Sequence, residues 1–232
     1  MSNFLLVHGS FQGGWIWRPV AERLRQAGHR VLVPTLPGCA ERADDIRPGI
    51  TVTSAAEELA ALLFLEDTTE VVVVGTSSGG LVVEKLAVLA ASRIERLVFL
   101  DALVPQPGQS VKDIVERPSD APPYIFTDLA RGPSREVMAE GQFAELDEVT
   151  KPWALARATL HPIGLSDQGP GELDAFWDSS WSARVIRCRR SPNPPLAHQR
   201  STAERLDAEW HELDAGHYPM LTHPDETLAL IS

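Results

Sequence analysis

A chain of 232 residues holds one ordinary α/β domain, or one domain with a modest insertion, and is long enough to build a sizeable core. Apolar residues make up 44% and charged residues 23%, a folded composition and not a disordered one. Lys and Arg sum to 21 against 32 Asp and Glu, and the resulting charge of −11 argues against a nucleic-acid partner. No run reaches the ~18–20 apolar residues of a membrane span. An apolar run starts at Phe4 with no basic segment before it and no cleavage site after it, so no signal peptide is expected. Cys39 and Cys188 are the only cysteines and lack metal-ligand spacing, so neither a disulfide scaffold nor a zinc site is expected. A cytoplasmic location is the default reading.

Short continuous apolar runs recur along the chain, at 4–7, 30–33, 71–74 and 97–100, with weaker ones at 185–186 and 210–213. Runs without alternation mean strands buried on both faces, the mark of a parallel sheet between helices. Helical patterns separate them. Residues 17–27 end at Gly28, residues 54–65 open at Ser54 with Glu57 in capping-box spacing, and residues 80–91 are rich in Leu, Val and Ala. This order predicts an α/β fold, a doubly wound, mostly parallel sheet with flanking helices. Then the pattern breaks: 12 of the 18 prolines fall between Pro105 and Pro195. Helical fragments at 135–146 and 152–160 sit among them without a convincing strand. Residues 105–182 are therefore expected to form a mostly helical cap inserted into a core of 1–104 and 183–232. In open α/β sheets ligands bind beyond the carboxyl ends of the strands, where such a cap would wall off a pocket.

Gly75-Thr76-Ser77-Ser78-Gly79-Gly80 follows the valine strand directly and opens the next helix. Gly-x-Ser-x-Gly is common by chance, but strand–turn–helix is the context a nucleophile elbow needs. Small residues at Gly75 and Gly79 let strand and helix approach, Ser77 sits at the bend, and the Ser78 N–H lies at a helix N-terminus, where developing negative charge is favoured. Ser78 is the rival serine, but the Gly75–Gly79 frame centres on Ser77. A phosphate-binding loop would require a Lys that is absent here.

A serine needs a base to act as a nucleophile. Of seven histidines, His217 lies just past the last strand candidate, on the carboxyl edge of the sheet and after the serine in chain order. His29 precedes a strand, His211 lies within one, His223 begins the terminal helix, and His161 and His198 fall in or near the cap, where they could line a pocket. After the first strand, His8-Gly9-Ser10-Phe11 allows the chain to bend so that the Ser10 N–H points at an oxyanion. His8 itself reads as a buried structural ring.

Taken together, residues 5–15, the 75–80 elbow and Gly216-His217 resemble the α/β-hydrolase superfamily, closest to a small cap-bearing branch of bacterial esterases, plant methylesterases and hydroxynitrile lyases. The resemblance spans essentially the whole chain, with the cap alignable only loosely. It implies an oxyanion hole made by the Ser10 and Ser78 amides, and no cofactor or metal. Three departures stand out. Thr76 replaces a usual His at a position outside the triad. Residues 189–194, where the family commonly carries its Asp, contain no carboxylate. Tyr218 stands where the lyases use a lysine, which disfavours cyanohydrin cleavage, while Ser77 excludes the carboxylate-nucleophile epoxide hydrolases and dehalogenases.

Asp101, at the end of the 97–100 strand, is the first choice for the acid. Asp214 is second, Asp207 is expected on a helix face, and a Ser–His dyad stays open. The reading is a serine hydrolase that cleaves a small or medium ester-like bond, such as a carboxylic ester, methyl ester or carbamate, through an acyl-enzyme. Its machinery would be Ser77, His217 and Asp101, with Phe11, Trp15, Trp153, Phe176, Trp177 and Tyr218 as candidate pocket walls. The partner is a small-molecule substrate, and a homo-oligomer stays open. The alternative is a non-hydrolytic protein on the same scaffold, a lyase, a cyclase or a ligand-binding module.

Overall fold

The computed structural model describes residues 1–115, 119–169 and 171–232. From the start the chain alternates as its apolar runs predict: β1 (Asn3–Val7), α1 (Arg18–Gln26), β2 (Arg30–Leu32), α2 (Val52–Leu65), β3 (Val71–Ser77), α3 (Gly79–Leu89) and β4 (Ile94–Ala102). A long excursion follows, with α4 (Val111–Ile114), β5 (Ile125–Phe126), β6 (Ala130–Gly132), α5 (Arg135–Glu140), α6 (Thr150–Leu155) and β7 (His161–Pro162). The alternation then resumes with β8 (Ala183–Cys188), α7 (Leu196–Leu206), β9 (Glu209–Leu213), α8 (Pro219–Thr222) and α9 (Pro224–Ile231).

Six strands form one sheet in the order β2-β1-β3-β4-β8-β9, every neighbouring pair parallel. Its two faces explain the unalternating runs. Leu5, Val7, Val73, Leu97 and Phe99 pack into a core shared with α2 and α3. Their neighbours Phe4, Leu6, Val74, Val98 and Leu100 pack into a second core with Trp17, Val20, Leu24 and Ile231 from the opposite side. Successive side chains point to opposite faces, so a strand covered on both must be apolar at each position. Because all six strands run the same way, their carboxyl ends share one edge, and β3 and β4 end there side by side.

The structure differs from the sequence reading in several places. Helix α2 is capped by Thr51, whose side chain accepts the Ser54 N–H while Ser54 Oγ accepts the Thr51 N–H, so Ser54 is the third helical residue of a capping box and not its cap. The 105–182 insertion is not merely helical: β5, β6 and β7 form a small antiparallel sheet. Those strands hold two or three residues each, too few for any alternation to show. Residues 116–118 and 170 of that expected cap lie outside the described residues. Lastly, Phe176, expected on a pocket wall, lies in the core. Phe176 is fully buried, edge-on to Phe99 and stacked on Trp181, while the Trp177 N–H is spent on the Pro105 carbonyl at 2.8 Å. The 3-10 turn that carries them (Asp174–Asp178) packs against α3, so they serve as core. Nearby, burial drives the carboxyl of Glu84 on α3 well above the ordinary carboxylate range, a shift that the adjacent Trp177 side chain only partly offsets.

Candidate active site

Ser77 closes β3 with φ +52°, a left-handed conformation that costs a non-glycine residue roughly 1–3 kcal/mol. The strain is imposed by a direct passage from strand to helix: α3 starts two residues later, at Gly79. The framing glycines are needed for close approach. A Cβ on Gly75 would lie 2.8 Å from Val83 Cγ2, and one on Gly79 would lie 2.6 Å from the His8 carbonyl oxygen. The loop after β1 presses on the serine itself, since a Cβ on Gly9 would meet Ser77 Cβ at 2.6 Å and Oγ at 3.2 Å.

The next strand ends with a second irregularity. Thr76 pairs with Leu100 but Ser77 pairs with Ala102, so Asp101 is the extra residue of a bulge, with φ +46°. Bulges re-aim side chains at strand ends, and Asp tolerates the left-handed region better than most residues. The Leu103 N–H bonds the Ser77 carbonyl at 2.9 Å and ties the two ends together.

Asp101 is fully buried, and its carboxylate oxygens have distinct partners. Oδ2 lies 2.6 Å from His217 Nδ1. Oδ1 accepts Gln199 Nε2 at 2.9 Å and the Cys188 N–H at 3.3 Å. A carboxylate only accepts, which assigns the ring proton to Nδ1 and leaves Nε2 with a lone pair. Ser191 Oγ is also near Nδ1, at 3.4 Å, but it donates to the Asn193 carbonyl at 2.7 Å. An imidazole held this way can take a proton at Nε2 and be stabilised by Asp101 once charged. The other acid candidates lie elsewhere. Asp214 is 62% exposed and faces Arg189 at 3.5 Å. Asp207 is not on a helix face: it ends α7 at φ +50°.

Ser10 and Ser78 meet beside the elbow, with their hydroxyl oxygens 2.7 Å apart. Neither residue's backbone N–H has an intrachain acceptor among the described residues. His8 takes a supporting place: Nε2 accepts the Leu36 N–H at 3.0 Å and Nδ1 donates to the Gly9 carbonyl at 2.8 Å. Around this loop, Phe11 packs edge-on against Tyr124 and His161, Trp15 against Trp153, and Phe143 tilts over Tyr218. Phe11, Trp15, Trp153 and Tyr218 thus gather where the insertion meets the loops of Ser10 and His217. His198 is held by the Val104 N–H at 3.2 Å, and His161 is buried beside Cys39. Both cysteines are free and buried. Among the described residues no group of three His, Cys, Asp or Glu could hold a metal ion, and no helix is long and apolar enough to cross a membrane.

Two contacts were not foreseen from sequence. Gln199 also donates to the Pro194 carbonyl at 2.8 Å, so it fixes both Asp101 and the loop after β8. It sits on the buried face of α7 with Thr202, Ala203 and Leu206, and a Gln among such neighbours is the signal that could have marked it. Glu145, from the insertion, accepts the Gly216 N–H at 2.9 Å and pairs with Arg190 at 3.3 Å, which ties the insertion to the His217 loop.

Burial lowers three imidazoles from their ordinary value, His8 and His198 to about 4 and His161 to about 3. Each binds its proton more readily unfolded than folded, so its contribution is complete above ~6.5 and is lost as pH falls toward 4. The urea midpoint is therefore expected to decline from about pH 6.5 downward, before ordinary carboxylates titrate. A midpoint unchanged between pH 7 and 5 would contradict this account of the rings.

Residues 4–230 match the model of the Alpha/beta hydrolase family. A carbendazim hydrolyzing esterase from Nocardioides sp. (strain SG-4G) is 38% identical over 132 residues, 57% of this chain and 54% of that one, so the match spans about half of that relative. Methylesterase 3 of Arabidopsis thaliana is 27% identical over 261 aligned positions, which cover 99% of this chain and 94% of that one. In fold, a pyrethroid hydrolase of Sphingobium faniae JZ-2 superposes with a TM-score of 0.83 at 17% identity, over 99% of this chain and 95% of that one.

Proposed function

The chain belongs to the α/β-hydrolase family, and on that footing we propose that it is a serine esterase, cleaving a small or medium carboxylic ester, methyl ester or carbamate through an acyl-enzyme. The observation that carries the proposal is the 2.6 Å bond between His217 Nδ1 and the buried Asp101 carboxylate, at the strand edge where Ser77 is held in its strained turn. In this reading His217 Nε2 takes the Ser77 proton as Oγ attacks the carbonyl. The Ser10 and Ser78 N–H groups receive the oxyanion, neither having an intrachain acceptor among the described residues. His217 returns the proton to the departing alcohol, or to the amine side of a carbamate. Water then enters by the same route, giving up a proton to His217, which passes it to Ser77 Oγ as the acyl–oxygen bond breaks and the acid leaves.

The relatives named as a carbendazim hydrolyzing esterase and a methylesterase support ester-like substrates. The non-hydrolytic alternative drew its strength from the missing carboxylate after the penultimate core strand, and Asp101 reaching His217 from the neighbouring strand weakens it. A fluorophosphonate probe should label one residue, Ser77, and block turnover of p-nitrophenyl acetate. A panel of methyl esters and methyl carbamates then ranks the substrates. An unlabelled Ser77 with no turnover across the panel would defeat the esterase reading.

A further inference from the structure

Ser10 and Ser78 stand 68 positions apart, on the loop after β1 and at the N-cap of α3, yet their hydroxyl oxygens lie 2.7 Å from each other. Neither hydroxyl has another protein partner among the described residues, so each spends its hydrogen-bonding capacity within the chain on the other. Ser78 is 4% exposed and Ser10 half-buried, so the bond is partly shielded from water. The same two residues carry N–H groups beside Ser77 that have no intrachain acceptor among the described residues. We propose that the Ser10–Ser78 hydroxyl pair is a latch that sets the spacing of these two amides, so that both can meet one oxyanion. The inference rests on the oxyanion role given to the amides above.

The loop's other hydrogen bonds do not reach the elbow: the Gly9 N–H goes to Gln12 Oε1 at 3.3 Å, the Gly9 carbonyl to His8 Nδ1 at 2.8 Å, and the Phe11 carbonyl accepts the Thr159 N–H at 3.1 Å. Gly9 fixes how near the loop comes to Ser77, and Phe11, at φ +69°, turns the chain away immediately afterwards. Between them Ser10 has only its side chain to anchor it to the elbow. One face of the oxyanion hole is rigid, being the N-terminus of α3. The other is a loop, and a hydroxyl bond joins the two. Misplacing a reacting group by about 1 Å can cost ~10² in rate, while losing an oxyanion donor outright costs ~10²–10³. A loosened donor should therefore cost about tenfold. The loss should fall on kcat, because the oxyanion exists in the transition state and not in the bound ester.

The test is steady-state hydrolysis of p-nitrophenyl acetate by the full chain and by Ser10→Ala, Ser78→Ala, the double variant and Ser10→Thr. Each single alanine variant should lose about tenfold in kcat with KM within threefold and a melting temperature close to the parent's. The double variant should lie within twofold of the singles, because both remove one bond. Ser10→Thr restores the hydroxyl and should stay within threefold of the parent. The latch is overturned if either single keeps kcat within twofold, if the losses multiply in the double, or if they appear in KM alone. Fluorophosphonate labelling of the unmodified chain separates the two claims. Failure to label strikes the esterase reading, whereas normal labelling with indifferent alanine variants strikes only the latch.

Discussion

Replacing Ser77 with alanine is expected to lower kcat for ester hydrolysis by about 10⁶, the cost of removing the nucleophile from a serine triad. The expectation follows from how singular the position is. Ser78, the only other serine in the elbow, directs its hydroxyl to Ser10, and the frame of Gly75 and Gly79 closes around Ser77. The backbone should survive, because alanine at φ +52° carries the same strain as serine and leaves the bond from the Leu103 N–H to the Ser77 carbonyl in place. Activity measured against an active-site titration, with a melting curve beside it, decides the matter. A variant that melts like the parent but keeps more than about 1% of its kcat would show that the hydroxyl of Ser77 is not the attacking group.

What the sequence made legible was whatever short-range pattern encodes. The four valines of β3 announce a strand covered on both faces, and the glycines after them announce a chain that must turn at once into a helix. His217 could be chosen because chain order and sheet edge are both readable. Asp101 was readable as a strand-end carboxylate, but its role depends on a bulge that skips it between Leu100 and Ala102, and a register shift leaves no mark in the residues themselves. Contacts across the fold were illegible for the same reason. Nothing local says that Gln199 reaches Asp101 across 98 positions, or that Glu145 reaches Gly216 across 71. The insertion resisted most. Its aromatic residues look alike in sequence, yet Trp153 meets Trp15 near the Ser10 loop while Phe176 goes to the core against Phe99.

The substitution Asp101→Asn is expected to cut kcat by about 10³–10⁴ with little change in KM, and the structure gives the reason in terms of donors and acceptors. Around Oδ1 stand two donors, Gln199 Nε2 and the Cys188 N–H, so the introduced amide would turn its carbonyl oxygen toward them. Its NH₂ would then face His217 Nδ1, where the carboxylate oxygen now lies at 2.6 Å. A donor there makes Nδ1 the acceptor and moves the ring proton to Nε2, the nitrogen that has to receive the proton of Ser77. The side chain would keep its volume and its packing while the imidazole is locked in the unreactive tautomer. Asp214→Asn is the control: that carboxylate is largely exposed beside Arg189, and exchanging it should leave kcat within twofold. A loss below tenfold in Asp101→Asn would move the orienting role off Asp101, and a large loss in Asp214→Asn would say where it had gone.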